Sequence, residues 1–391
     1  MPNFSNEPHE TSVEARERLR LAIREFVERE MPREAAARWD RENAFPRDVF
    51  ASLARLGVLG LAIPRPLGGT GRDIVSTMVV IEELSRRSLA VSVPYIMASC
   101  YAGMNLVEFG SREQQRDLLP RVTSGDLIFA YGWTEPDVGA DLASVKTRAM
   151  RKGDEVVIDG AKRFCSGAAL CDYIYTLVRT GDAGDRHGGL SLVLVPPSTP
   201  GVQISRIDAM GMKGAATTDV VFDGVRVPVA NVMGGEAGWG RGWSMLMGAG
   251  LDVEKLEVAA IGIGIATAAL DDAWRAVCAP RADGERPDQS ATHQLADMKA
   301  QIHAARLVLY HAAELADRHE KCSVETSMAK LLAGEAARDV ALRSQALLGA
   351  EGYVEGTDAE RYVRDALLVP IMGGSSAIQR NNIFKWSAAA A

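Results

Sequence analysis

The sequence predicts an α+β protein in which helices come first, an antiparallel β unit follows, and a helical bundle ends the chain. Helix-like spacing of apolar residues fills residues 12–128 and gives way near Tyr131 to short β-branched runs. Long helical patterns return after Gly234–Trp243. Because 391 residues are too many for one core, we divide the chain into three regions. Their bounds are 1–128, 129–233 and 234–391.

The first region is predicted to consist of helices joined by Pro and Gly breaks. Leu19, Ile23 and Phe26 fall at i, i+4 and i+7, so they share one helix face. Proline and glycine in Ala62–Asp73 predict a loop, and another helix is expected at Ile74–Arg87.

The second region carries the strand signals, and the third carries bundle helices. The runs DEVVIDG, YIYTLVRT, LSLVLVPP and TTDVVFDGVRVP are bounded by Gly, Asp and Pro, as in a small antiparallel β unit. In the third region, apolar residues three and four positions apart predict a buried helix face. These residues are Leu295, Met298, Ile302, Ala305 and Leu309.

Composition excludes several function classes. A formal net charge of −7 disfavours a nucleic-acid partner, which requires a clustered basic face. The five cysteines form no C-x-x-C pair, so we expect reduced thiols and a cytoplasmic protein. We expect no membrane span, because no run approaches roughly 20 apolar residues. No His, Cys and acidic cluster has metal-ligand spacing, so we expect no metal.

Five segments, taken in order, carry a resemblance to a known family. They are RLGVLGLAIPRPLGGTG, FGSREQQRDLLPRVTSGD, WTEPDVGADLASVKT, MGMKGAATTDVVFDGVRVP and RYVRDA. The chain resembles the acyl-CoA dehydrogenase family from about residue 12 to 385. The resemblance implies an N-terminal helical domain, a middle antiparallel β-barrel, a C-terminal four-helix bundle and bound FAD. It also implies a homotetramer or homodimer, with a hetero-oligomer left open.

The chemistry implied by the resemblance is α,β-dehydrogenation of an acyl thioester to the trans-2-enoyl thioester. A carboxylate removes the α-proton while the β-hydrogen leaves as hydride to flavin N5. The implied partners are an acyl-CoA or acyl-carrier protein and an electron acceptor such as electron-transfer flavoprotein.

The resemblance assigns two segments to the flavin. Tyr131, Trp133 and Thr134 match the strand along the pyrimidine edge of the ring. KRFCSG places Phe164 against the ring and Ser166 near N5, where the family more often has tryptophan and threonine. From residue type alone, the threonine and the serine are better explained as turn formers, and only the family pattern favours the flavin roles.

The adenine side of the implied FAD site departs from the family pattern. The Q-x-x-G-G cradle becomes ALLGAEGY, which keeps Gly349 but has Ala350 where a second glycine is usual. The R-x-Q-F-G motif is missing from Cys278–Gln294, where Arg281 and Arg286 are either substitute phosphate contacts or solvated side chains. FAD affinity is therefore an open question.

The family's usual catalytic glutamate would stand at Gly373 in IMGGSSAIQR, and glycine cannot remove a proton. Ser375 keeps a hydroxyl where the family has threonine, and it is assigned to the cofactor. Members resembling isovaleryl- and long-chain acyl-CoA dehydrogenases carry the base in a segment like LDVEKL, which assigns it to Glu254. Either Glu254 or Glu257 is expected to face the cleft while the other faces water. The alternative is that Glu254 is an ordinary surface acid.

Substrate contacts are assigned to the helix carrying Tyr95, to Gly373, to Lys255 beside the base and to Ala140. Ala140 replaces a serine that helps to hold the thioester arm in the family, and Lys213 replaces an arginine. These changes leave open whether coenzyme A or a carrier protein bears the acyl group.

Two other functions remain open on the same fold. One is a flavin monooxygenase or oxidase, although such relatives tend to lack a base at both positions. The other is a flavin-poor partner subunit or a flavin-independent lyase or isomerase, which the altered adenine-side motifs favour. Turnover with an artificial electron acceptor separates a dehydrogenase from both.

Overall fold

The structure is a computed structural model that describes residues 13–181, 185–247, 249–280 and 286–388. The N-terminal helices are α1 (Val13–Glu30), α2 (Arg33–Glu42), α3 (Arg47–Ala54), α4 (Ile74–Ser85), α5 (Leu89–Tyr95), α6 (Gly103–Phe109) and α7 (Arg112–Ser124). The strands are β1 (Phe129–Gly132), β2 (Arg148–Lys152), β3 (Glu155–Lys162), β4 (Tyr173–Arg179), β5 (Leu190–Val195), β6 (Val202–Arg206) and β7 (Thr218–Pro228). The C-terminal helices are α8 (Gly242–Leu246), α9 (Ala249–Val277), α10 (Gln289–Asp317), α11 (Ser323–Leu347), α12 (Asp358–Ala366) and α13 (Ser376–Ala388).

The N-terminal helices pack against the bundle through α4. Ile23 and Phe26 on α1 are buried as the spacing predicts. Every residue of α4 is buried, and this helix packs on both α1 and α9. A buried ion pair fixes the contact with α10, because Arg306 Nη2 lies 2.9 Å from Glu82 Oε1. The N-terminal region is thereby bound to the bundle rather than tethered beside it.

A π-helical stretch, Ile96–Ala102, joins α5 to α6 as one continuous helix. Such stretches leave part of the helix with irregular backbone hydrogen bonding and occur often at functional sites. By length and composition Leu89–Phe109 is also apolar enough to cross a membrane, which the sequence analysis did not anticipate. However, 94% of its most apolar window is buried inside the protein. Core packing alone therefore accounts for its apolar character.

The middle region is a curled seven-stranded sheet with the order β1-β4-β2-β3-β7-β6, and β5 also pairs with β4. Most pairings are antiparallel, as predicted. However, β1 runs parallel to β4 over its whole length, and Arg148 of β2 pairs in parallel with Arg179. The sequence runs locate strands but carry no information about their relative direction, so these parallel pairings were not predicted.

The bundle consists of the long helices α9, α10 and α11, with α13 packed on α11. All five residues of the predicted α10 face are at most 3% exposed, which confirms it as a core face. Helices α9 and α11 run parallel, because Asp252 near the start of α9 accepts a hydrogen bond from Ser323 at the start of α11. Further along, Gly262 approaches Ala333. The predicted division at residues 128 and 233 stays a prediction.

Candidate active site

The two positions at which the family carries its base meet in space. Glu254, in the second turn of α9, is half-buried and faces the Gly373–Gly374 turn. A Cβ atom built on Gly373 would lie 4.0 Å from Glu254 Oε1 and only 2.8 Å from Val258 Cγ2. Gly373 also has φ +62°, in the left-handed region that favours glycine. The glutamate therefore reaches the space that a side chain from position 373 would enter.

The retained IQR segment holds this turn in place. The amide of Gln379 donates to the carbonyl oxygens of Gly373 at 3.2 Å and Gly374 at 2.9 Å. Ser375 Oγ accepts from Ile378 N at 3.4 Å, which makes it the N-cap of α13. The role of Ser375 in cofactor binding stays a prediction, and its hydroxyl serves the helix here.

A buried lysine from α11 lies close enough to Glu254 for their charges to interact. Lys330 is fully buried, and within the described residues its Nζ makes no hydrogen bond. Burial lowers the pKa of Lys330 to about 8, and the charges of Glu254 and Glu335 oppose that shift. Neither the composition nor the spacing of α11 distinguishes this lysine from a surface residue, so the sequence analysis missed it.

The second acid of α9 does not face water, contrary to the expectation. Glu257 is 2% exposed because α9 is enclosed by α4 and by the π-helical stretch. Burial raises the pKa of Glu257 well above its ordinary value, and the charge of Glu254 raises it further. The thiol of Cys100 opposes these effects through a hydrogen bond. Burial therefore favours the neutral form of Glu257, one turn along α9 from Glu254.

Lys255 points away from the base because neighbouring helix residues are about 100° apart. Its Nζ lies 2.9 Å from Asp252 Oδ1 and 4.7 Å from the centre of the Trp386 ring. Tyr95 is fully buried, and its hydroxyl donates to Val58 O at 3.1 Å. Both placements favour structural roles, and the substrate contacts assigned to these residues stay predictions.

The two predicted flavin segments lie side by side. Arg163 N donates to Thr134 O at 2.8 Å, which joins the end of β1 to the loop after β3. Phe164 has φ +59°, its ring is 55% exposed, and the Arg163 guanidinium lies 5.1 Å from the ring centre. Thr134 and Ser166 are half-buried. The result is a flat apolar wall with two hydroxyl groups nearby.

Aromatic rings of the first flavin segment pack against each other and against β4. The Tyr131 and Trp133 rings stack with centres 5.5 Å apart, and Trp133 also contacts Tyr175 at 6.1 Å. Burial raises the pKa of Tyr131 well above its ordinary value, and the charges of Glu257 and Glu254 raise it further. The strand assigned to the flavin therefore lies next to the base.

A buried ion pair that the sequence analysis missed supports the flavin segments from behind. Lys162 Nζ lies 2.8 Å from Glu135 Oε1 and donates to Trp133 O at 3.2 Å. Burial lowers the pKa of Lys162 to about 8. Burial also opposes ionisation of Glu135, but Lys162 and hydrogen bonds outweigh it and lower the carboxyl pKa. The only sequence signal was a charged residue flanking each segment.

Four further predicted residues within the described part of the chain are exposed to solvent. Gly349 has φ +60°, and a Cβ there would meet nothing within 4 Å. Ala350 is exposed, so its methyl group fills no space inside this chain. Ala140 and Arg286 are also exposed, whereas Arg281 lies outside the described residues. The cofactor and thioester roles assigned to this group stay predictions.

Comparison with known proteins decides the family. Profiles of the acyl-CoA dehydrogenase N-terminal, middle and C-terminal domains match residues 13–126, 130–225 and 240–388. The chain belongs to the acyl-CoA dehydrogenase family. A Bacillus subtilis acyl-CoA dehydrogenase is 34% identical over 94% of this chain and 96% of its own length. The caffeyl-CoA reductase-Etf complex subunit CarC of Acetobacterium woodii is 32% identical over 93% and 95%.

The fold agrees with that assignment. The structure of a glutaryl-coenzyme A dehydrogenase in complex with glutaryl-CoA superposes with a TM-score of 0.91 at 30% identity. The match covers 97% of this chain and 96% of that one. The predicted fold class and FAD-dependent dehydrogenation of acyl thioesters are confirmed by these matches.

The residues present fit an isoalloxazine ring. The exposed Phe164 ring offers a flat apolar wall, and the hydroxyls of Thr134 and Ser166 offer hydrogen-bond donors at its edge. The left-handed backbone of Phe164 is held by the hydrogen bond between Arg163 and Thr134. These groups would hold the FAD ring next to Glu254.

Proposed function

We propose that Glu254 is the base that removes the α-proton of the acyl thioester in this enzyme. The observation that carries this assignment is the approach of Glu254 Oε1 to the position of a side chain at Gly373. A base attached at either residue would act on the same substrate carbon. The acid missing from position 373 is thus replaced from the neighbouring helix.

The protein's own contribution to the reaction is position and charge. Glu254 acts as a general base and must be ionised before the substrate binds. Lys330 provides positive charge behind it, and burial favours the neutral form of Glu257, which limits a second negative charge there. Thr134 and Ser166 would stabilise negative charge on the cofactor ring through hydrogen bonds. Bound FAD supplies the oxidant that accepts the β-hydrogen.

The proposed substrate is an acyl-CoA, with an acyl-carrier protein as the alternative carrier. Exposed Ala140 offers no hydroxyl to the thioester arm, and this absence supports the carrier-protein alternative. The proposed electron acceptor is an electron-transfer flavoprotein, because the Acetobacterium woodii relative is named as a subunit of an Etf complex. Five free cysteines, four of them buried, support the proposed cytoplasmic location.

We propose a homo-oligomer, a tetramer or a dimer. Large apolar side chains near the C-terminal end of the bundle remain on the surface of one chain. Tyr353 is 84% exposed, Phe384 80%, Ile371 66% and Val354 51%. A second copy of the chain would bury them.

The visible spectrum of the purified protein tests this function. Anaerobic addition of an acyl-CoA panel should bleach the flavin band with at least one substrate and identify the acyl class. A flavin band that no acyl-CoA bleaches, combined with oxygen consumption on addition of reduced flavin, would support an oxidase or monooxygenase instead. If the protein retains no flavin band after incubation with FAD and removal of the unbound cofactor, it is a partner subunit or a flavin-independent enzyme.

A further inference from the structure

Lys330 is an unusual residue for the interior of a bundle. Its side chain is fully buried on α11, and its Nζ makes no hydrogen bond within the described part of the chain. A buried charge without a close partner lowers stability, so such a group is rarely kept for stability alone. Its location beside the base offers another reason.

The helix register places Lys330 opposite the turn of α9 that follows Glu254. Asp252 contacts Ser323, and Gly262 approaches Ala333, so paired positions on α9 and α11 differ by 71 in residue number. Helical side chains lean toward the N-terminus, which carries the lysine ammonium back toward Glu254. On the same helix, Gly334 lies against Pro370, at the start of the segment leading to Gly373.

The other acid within reach of Lys330 is already neutralised. Glu335 Oε2 lies 2.5 Å from Arg338 Nη2, and Glu335 Oε1 lies 3.6 Å from Arg380 Nη2. Glu254 is therefore the carboxylate that the lysine charge serves. Within the described part of the chain, the charge of Glu254 also acts on Glu257 of α9 and on Tyr131 of β1.

We propose that Lys330 is a positioning residue that keeps the Glu254 carboxylate ionised and directed toward the Gly373 turn. This inference rests on the proposed role of Glu254 as the base. An opposite charge within about 4–6 Å favours the ionised form of a carboxyl group and lowers its pKa by about 1–3. Without the lysine, burial and the adjacent Glu257 would favour protonation, and a protonated base cannot accept the substrate proton.

The test compares Lys330→Met with Lys330→Arg and the wild type. The rate of flavin bleaching by a reactive acyl-CoA is measured anaerobically as a function of pH. In Lys330→Met the acid limb of this profile should move up by about one pH unit or more. At pH values below this limb, the bleaching rate of Lys330→Met should be about tenfold or more lower than that of the wild type. At high pH the two rates should become similar. Lys330→Arg, which keeps the charge, should leave the limb close to its wild-type position.

Lys299→Met is the matched control, because that lysine lies on α10 over the Trp274 ring and faces no part of the site. It should leave the acid limb unmoved. The unfolding midpoint of Lys330→Met should be unchanged or higher, since a buried ammonium group that makes no hydrogen bond within the described residues is removed. A clear loss of stability combined with an unmoved acid limb would show that Lys330 is only structural and would overturn the proposal.

Infrared titration of the protein as purified gives a readout that needs no substrate. The protonated-carboxyl absorption of Glu254 is identified as the signal missing from Glu254→Gln, and its midpoint should rise in Lys330→Met. An unchanged midpoint overturns the inference. If Lys330→Met does not fold, Lys330→Gln is measured in the same way. Failure of the wild type to bleach contradicts the proposed function, whereas the infrared result still decides the role of Lys330.

Discussion

Replacing Gly373 with alanine tests why the base cannot be attached at that position. The residue has φ +62°, and an added Cβ would meet Val258 Cγ2 at 2.8 Å. The left-handed backbone costs about 1–2 kcal/mol for a residue with a Cβ. Rotating Val258 out of its preferred conformation costs about 0.5–1.5 kcal/mol more. We therefore expect Gly373→Ala to lower the free energy of unfolding by about 1.5–3.5 kcal/mol.

Gly153→Ala is the matched control, because Gly153 has φ +65° and a Cβ there would meet nothing within 4 Å. It should show the backbone cost alone, about 1–2 kcal/mol. Adding Val258→Ala to Gly373→Ala should remove the steric part of the loss in free energy of unfolding. This recovery is measured as the coupling energy in a double-mutant cycle. Urea unfolding of Gly373→Ala, Val258→Ala, the double variant and Gly153→Ala measures these quantities. Equal losses at both glycines, or no coupling with Val258, would refute the steric argument.

Three further predictions concern the flavin segments and a buried acid. Glu135→Gln leaves Lys162 buried without its counter-ion, so urea unfolding should show that the free energy of unfolding falls by about 3–5 kcal/mol. A fall of less than about 1 kcal/mol would contradict this expectation. Because folding lowers the pKa of Glu135, its contribution to the free energy of unfolding should be fully present above the pKa of the unfolded state. That contribution should disappear as the pH falls through the pKa of the folded state. Phe164→Ala should reduce the FAD retained on gel filtration with little change in stability, since its ring is 55% exposed. Full FAD retention would remove Phe164 from the site. Burial raises the pKa of Asp365 from 3.8 to about 6, so wild-type stability should fall relative to Asp365→Asn as pH rises through that interval. If the difference in free energy of unfolding between the wild type and Asp365→Asn stayed constant from pH 4 to 7, that pKa shift would be contradicted.

Local patterns in the sequence were sufficient to predict the helices and most of the strands, and they supplied the candidate base, whose role stays a prediction. The apolar stripes of α1 and α10 required only the 3.6-residue period, because each buried face is defined by one helix. Glu254 could be assigned because LDVEKL is a contiguous motif. Its proximity to Gly373, 119 residues later in the chain, followed only from comparing two motifs of one family.

Features that depend on pairs of distant elements could not be predicted in this way. The parallel pairing of β1 with β4 depends on how the chain crosses between them, and strand patterns do not encode direction. The burial of Glu257 depends on α4 and the π-helical stretch closing over α9. The pair Glu135 and Lys162 forms across 27 residues, and each alone has the composition of a surface charge.

Lys330 shows the same limit inside the site. On α11 it occupies a position that no periodicity argument distinguishes, and its significance comes from the parallel packing of two helices. On the proposed roles, the charge of Lys330 offsets the effect of the neighbouring Glu257, whose neutral form burial favours. The site is therefore an arrangement of three charged or titratable side chains from two helices rather than one glutamate.

The most direct measurement of the central claim is flavin bleaching by Glu254→Gln with the acyl-CoA that bleaches the wild type. Glutamine keeps the shape of the side chain but cannot accept a proton at this position. The account predicts that FAD content and substrate binding are retained while the bleaching rate falls by about 10²–10⁴-fold. A bleaching rate equal to that of the wild type would show that the base is a different residue.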